Sequence, residues 1–280
     1  RIKAASLASG EIQLMENIQL TANLGSSIST LALKWDDNAS APYNEGDIEL
    51  FLNSSTEDNR LMIAKPTFYL MGQRWTLVCQ NGIWVNKERL KIDELRVYGL
   101  GQSVTVKTEI AGKEEDYATA TFDGFSLSHL SAAIFPNGQL AMEGALDGTV
   151  KAMGFATQPY IDASLTVDNS SINGQPTGRL DISSRNKADE ARLYVDLLSE
   201  LTEKGMRREP VQLHGFVSLD DSPDEMAFDV AVGGIRLQAL NPILEQLSSN
   251  IDGMANGHLR MYGAWKSPQI DGYVVVRDGR

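Results

Sequence analysis

The side chains best suited to chemistry are few. They are the histidines His129, His214 and His258, the acidic runs Glu114-Glu115-Asp116 and Asp220-Asp221-Ser222-Pro223-Asp224-Glu225, the cysteine Cys79, and the tryptophans Trp35, Trp75, Trp84 and Trp265. A zinc site needs clustered ligands, and the histidines stand far apart along the chain in polar strand or loop settings. The second acidic run crowds hard oxygens as a calcium loop does, but lacks such a loop's spacing, so it reads as a solvated turn. Cys79 ends Trp75-Thr-Leu-Val-Cys79, where residues 75, 77 and 79 share one strand face, and it reads as a small buried hydrophobe with no base beside it. The tryptophans suit core or sheet-edge packing, with a sugar-stacking platform as the alternative. Neither HExxH nor Gly-x-Ser-x-Gly occurs. Gly99-Leu-Gly101-Gln-Ser-Val104 lacks the third glycine of a dinucleotide fingerprint and runs into a strand, so it reads as a turn. These residues predict a protein with no catalytic centre, no metal and no cofactor.

The elements that position them follow from composition and periodicity. The chain has 280 residues, 42% of them apolar and 22% charged, enough to bury a sizeable core. Its net charge of −12 comes from scattered acids, which predicts no nucleic-acid partner and no polybasic membrane anchor. One cysteine permits no internal disulfide. No run of 18 apolar residues occurs, so no membrane-spanning helix is expected. The chain begins at Arg1 without Met and stops inside an alternating run, and it is read as a section of a longer protein.

Period-two alternation dominates, the mark of strands with one face in water and one out of it. Leu95 and Val97 alternate with Glu94 and Arg96; Ile161, Ala163, Leu165 and Val167 with Asp162, Ser164, Thr166 and Asp168; and Val211, Leu213, Gly215 and Val217 line another face, as do Met226, Phe228, Val230 and Val232. Roughly fifteen to twenty strands of ordinary length fit the chain. Hairpin signals stand at Asn81-Gly82, Asn137-Gly138, Asp147-Gly148, Asn173-Gly174 and Asn256-Gly257, and a polar turn at Asp221-Ser-Pro-Asp224. Helical signals are limited to Asn241–Leu247, with a cap and an early proline, and Ser128–Ala133. Arg192–Leu198 alternates and is read as strand. The fold class predicted is all-β: an elongated, mostly antiparallel, repeat-built sheet, folded over a groove like a taco, with one or two short helices.

The second half carries an internal repeat. Gly124-Phe-Ser-Leu-Ser-His-Leu130 matches Gly234-Ile-Arg-Leu-Gln-Ala-Leu240, Asn137-Gly-Gln-Leu-Ala-Met-Glu-Gly-Ala145 matches Asn256-Gly-His-Leu-Arg-Met-Tyr-Gly-Ala264, and Pro159–Val167 matches Pro268–Val276, in the same order. Repeats of this kind build stacked β architectures, because one unit cannot bury its own apolar face. The glycines share a face with Leu and Met, which predicts close approach of a facing layer or ligand there. Residues 1–120 are taken as one β-rich segment, and 121–280 as two diverged copies at about 121–182 and 231–280.

The segment Asp252-Gly-Met-Ala-Asn-Gly257-His-Leu-Arg-Met-Tyr-Gly263, followed by Ser267-Pro268-Gln-Ile-Asp-Gly272-Tyr-Val-Val-Val and preceded by Leu237–Pro242, resembles the repeating pattern of the TamB family of the AsmA-like superfamily. The likeness covers roughly residues 120–280, and its upstream copy lacks the close spacing of Gly to Pro. It implies a periplasmic protein, held in the inner membrane by an N-terminal helix absent from this chain. An apolar groove would hold or conduct phospholipid acyl chains toward the outer membrane, and an outer-membrane β-barrel would be the partner. Groove candidates are Leu140, Met142, Ile161, Ala163, Leu165, Val167, Leu259, Met261, Val274 and Val276. Two other readings compete: a scaffold assembling outer-membrane proteins by strand addition, and an extracellular carbohydrate-binding or glycoside-cleaving β-sandwich.

Overall fold

The computed structural model describes residues 2–9, 12–37, 43–54, 59–113, 115–134, 141–154, 160–186, 191–220, 225–240, 253–264 and 267–277. Among them are twenty strands, one α-helix and one 3-10 turn, so the all-β expectation holds. The expected helix at Asn241–Leu247, the turn at 221–224 and Asn137-Gly138 lie outside the described residues. The chain divides into two units, residues 1–125 with 151–159, and residues 126–150 with 160–280.

The first unit holds β1 (Ile2–Ser9), β2 (Ile12–Asn23), β3 (Ile28–Trp35), β4 (Glu45–Asn53), β5 (Asn59–Lys65), β6 (Thr67–Leu70), β7 (Gln73–Cys79), β8 (Ile83–Val85), β9 (Leu90–Gly99), β10 (Gln102–Ile110) and β11 (Tyr117–Ser126). Strands β1 to β4 pair in chain order. The sheet then divides. One part of β4 pairs β5, which pairs β8, while the start of β4 pairs β6, which pairs β7. Both paths rejoin on β9, which continues to β10 and β11. Pro66 sits between β5 and β6, where a missing N–H is tolerated, and its carbonyl accepts the Leu77 amide at 2.6 Å. Trp35 and Trp75 are 4% and 2% exposed, each 5.9 Å from a phenylalanine ring, Phe68 and Phe125. They anchor this unit as core side chains.

The second unit holds α1 (Leu127–Ile134), β12 (Met142–Met153, whose last residues belong to the first unit), β13 (Tyr160–Ile172), β14 (Gln175–Asn186), β15 (Arg192–Glu203), β16 (Met206–Arg208), β17 (Val211–Ser218), β18 (Met226–Arg236), the 3-10 turn Leu237–Leu240, β19 (Met254–Ala264) and β20 (Ser267–Arg277). From β13 to β20 the long strands pair with their chain neighbours, and β16 pairs only the end of β15. The helix falls on the segment expected to be helical, and Arg192–Leu198 is strand.

Two-residue hairpins close at Met71-Gly72, Leu100-Gly101, Asn173-Gly174 and Lys204-Gly205, with φ positive at both residues of each. That is the turn geometry whose twist matches the flanking strands. Two expected turns are not turns: Asp147-Gly148 lies inside β12 and Asn256-Gly257 inside β19. The reason is visible at Gly257, where a Cβ would stand 2.2 Å from the Tyr273 carbonyl oxygen. Across the same strand pair, a Cβ on Gly272 would stand 2.1 Å from the His258 carbonyl oxygen. Both admit the backbone of the adjacent strand, and at Gly257 this replaces the facing layer or ligand expected there, while a Cβ at Gly263 would meet nothing within 4 Å. The repeat copies share a local order: strand, a positive-φ glycine (Gly124 or Gly234), a helical turn, then two strands. Their hairpins differ, since β19 ends one residue beyond Gly263 and β12 runs nine residues beyond Gly144.

Candidate functional site: the two faces of the second unit

Antiparallel register decides which alternating residues meet, because directly opposed residues share a face. Leu165 opposes Ile182, Ile182 opposes Leu197, Leu197 opposes Leu213, Leu213 opposes Val230, and Val230 opposes Leu259. One aliphatic row thus crosses six strands and ends at Gly272, opposite Leu259. Every side chain in it is half-buried. The rows on either side contain closed positions: Ala163 and Phe228 at 7% exposure, and Val167 and Ser199 at 0%. The six-strand row is therefore a lane of accessible apolar surface between drier borders. At about 4.8 Å per interstrand step it is about 24 Å long.

Toward one end of the strands the apolar face is covered. The 3-10 turn places Leu237 and Ala239 against Ile235 and Ala255, with Ile172, Val211 and Val232 packed around them. Leu237 is 4% exposed and Ala239 0%. Asn173, in the β13–β14 hairpin, donates its side-chain amide to the Ala239 carbonyl at 2.5 Å and accepts the Ala141 amide at 2.8 Å.

The opposite face is polar, and it is the side on which the concavities open. Its middle row runs Ser164, Ser183, Asp196, His214, Asp229, Arg260, Asp271 across the same strands. A depression of about 530 Å³ there is lined by Asp181, Asp196, His214, Asp229 and His258, and also reaches Leu165, Ile182, Leu197 and Leu213 between them, so folding brings together two histidines that stand far apart in the sequence. His214 Nδ1 lies 2.5 Å from Asp196 Oδ1, in an exposed pair that adds little stability. Cross-strand order sets Ser183 beside Asp196 and not beside the imidazole, which is the wrong side for a hydroxyl that His214 would activate. Asp181 is engaged by Arg179 at 3.1 Å, and both Asp181 and Asp196 stand in water, unlike a glycosidase acid held in an apolar site. Among the described residues, no three of His, Cys, Asp and Glu converge on a point where a metal ion could sit.

Of the groove candidates, Ile161, Ala163, Leu165 and Val167 lie on the apolar face of β13, Leu259 and Met261 on that of β19, and Val274 and Val276 on that of β20, where they are 44% and 46% exposed. Met142 is half-buried on β12, and Leu140 lies outside the described residues. Ile182, Leu197, Leu213 and Val230, which join these strands into one row, are absent from the candidates because those come only from the matched motifs of the two repeat copies. Strand alternation marks each of them singly; nothing in the sequence states their register.

The other chemically able groups have structural roles. Asp116 is 3% exposed and accepts the amides of Ala111, Gly112 and Lys113, closing its own turn. Cys79 is half-buried, and burial pushes its thiol up, away from the reactive thiolate. Trp84 lies under the Arg60 guanidinium at 5.0 Å, and Trp265 lies outside the described residues. No family model, curated protein or solved structure matches this chain.

Proposed function

We propose that this protein is a non-catalytic envelope-biogenesis factor that holds or conducts phospholipid acyl chains along the apolar face of its second unit. The observation that carries the proposal is the lane from Leu165 to Leu259: six opposed aliphatic side chains, none closed to solvent. Its length of about 24 Å exceeds the ~15 Å that one leaflet's chains span, half of a ~30 Å bilayer core. An acyl chain would be held there by buried area at about 25 cal/mol per Å², with no directional chemistry needed. The resemblance to the TamB family supplies the setting: periplasm, inner-membrane tether, transfer toward the outer membrane, and an outer-membrane β-barrel partner.

A photo-crosslinking residue at Leu165, at Leu197 or at Thr166 tests this in cells. Thr166 opposes Asp181 on the polar face, whereas Leu165 opposes Ile182 on the apolar one. Lipid adducts are expected from 165 and 197 and scarce from 166. Absence of adducts at all three, or equal adducts at 166, would sink the proposal.

A further inference from the structure

The covered end of the apolar face differs from the lane in one respect: its cover is the chain's own 3-10 turn. Val211 and Val232 oppose each other one row beyond Leu213 and Val230, so they continue the same apolar surface. A chain lying on the lane would meet no change of chemistry in passing from Leu213 to Val211. What it meets is Leu237, 4% exposed, packed with Ala239 over that row. We infer that Leu237 is a specificity-determining residue, a wall that confines the bound acyl chain to the lane and sets how much hydrocarbon the face accepts. The inference rests on the acyl-chain reading and deepens it.

Three observations give the wall its form. Ile235 and Ala255 are 6% and 1% exposed, so the surface under the turn is dry, whereas every lane residue is half-buried. The turn is tied down at its far end, where Asn173 donates to the Ala239 carbonyl across 66 residues of chain. The tie joins the β13–β14 hairpin to the segment after β18, strands that are not neighbours in the sheet, so it braces the end of the face against spreading. Truncating Leu237 would open space over Val232 without touching the lane, and losing the Asn173 donor would free the turn to lift.

The test uses the full chain with a photo-crosslinking residue at Leu213 or at Val232, in cells, with bulk phospholipid as the probe. The backgrounds are the unaltered chain, Leu237→Ala and Asn173→Asp. The aspartate keeps the acceptor for the Ala141 amide and tolerates the turn's positive φ, but removes the donor to Ala239. In the unaltered chain, adducts should form at 213 and be scarce at 232. In Leu237→Ala the 232 adduct should rise to the level at 213, and in Asn173→Asp it should rise partway, with the 213 adduct retained as the sign of an intact sheet. Equal adducts at 213 and 232 in the unaltered chain would overturn the wall, as would a 232 signal unmoved in both variants. Loss of the 213 adduct in Leu237→Ala would overturn it as well, since the turn would then be part of the lane. No adduct at 213 in the unaltered chain defeats the acyl-chain reading itself, a separate outcome.

Discussion

Both units are built from alternating strands, yet among the described residues only the second forms a long lane. In the first, the row Leu52, Leu61, Ile83, Ile92 is closed at its ends by Ser29 and Thr108, both buried. The row Ala22, Leu31, Leu50, Ile63 stops where β5 gives way to β6, and Leu77, Val97, Val104, Phe122 begins beyond the split. In the second unit the pairing follows the chain and a row crosses without interruption. Alternation determines which side chains leave water; uninterrupted pairing determines whether they add up to one surface.

The comparison can be broken most forcefully at the anchors. Trp35→Ala should cost about 3–5 kcal/mol in urea unfolding, because a large core ring is lost from its contact with Phe68. Leu197→Ala, at a half-buried lane position, should cost about 1 kcal/mol. Equal costs would mean that the lane is a sealed core after all. An effect between these two is expected from Gly272→Val, whose side chain would collide with the His258 carbonyl: about 1–3 kcal/mol, seen as faster amide exchange confined to β19 and β20. Protection unchanged in those strands would show that the close approach is not required.

The smallest effect concerns charge on the polar side of the first unit. Burial works to raise the Asp47 carboxyl, but hydrogen bonds and charge from Lys34 and Lys65, at 2.9 and 3.1 Å, hold it below its ordinary value. A depressed carboxyl stabilises the fold above its unfolded pKa of about 3.9, and that contribution is lost as pH falls through the folded value below it. Lys65→Met should move the Asp47 titration, followed by carboxyl-carbon NMR, back upward. An unmoved midpoint would assign the whole depression to Lys34.

Much of this was legible in residues alone. The strand faces of Leu165 and Val274 and the strand at Arg192–Leu198 follow from alternation, which is a local property. The hairpins at Met71-Gly72 and Lys204-Gly205 carry no such local signal, since neither Met nor Lys advertises positive φ as Asn does. Asn256-Gly257 advertised it and lies mid-strand, where close packing against Tyr273 needs the glycine instead. The joining role of Ile182 and Val230, the wall at Leu237 and the meeting of His214 with His258 all depend on register between strands, which no single strand encodes.

The neighbour-to-neighbour pairing of the second unit also bears on how it forms. Each long strand from β14 onward docks on the one made just before it, so loop-closure entropy stays small and no distant partner must be awaited. Such a sheet can grow vectorially, as knitting adds one course to the last, while its chain is still being delivered. The tie from Asn173 to Ala239 departs from that order: it closes only after three further long strands are in place, and bridges strands that are not neighbours.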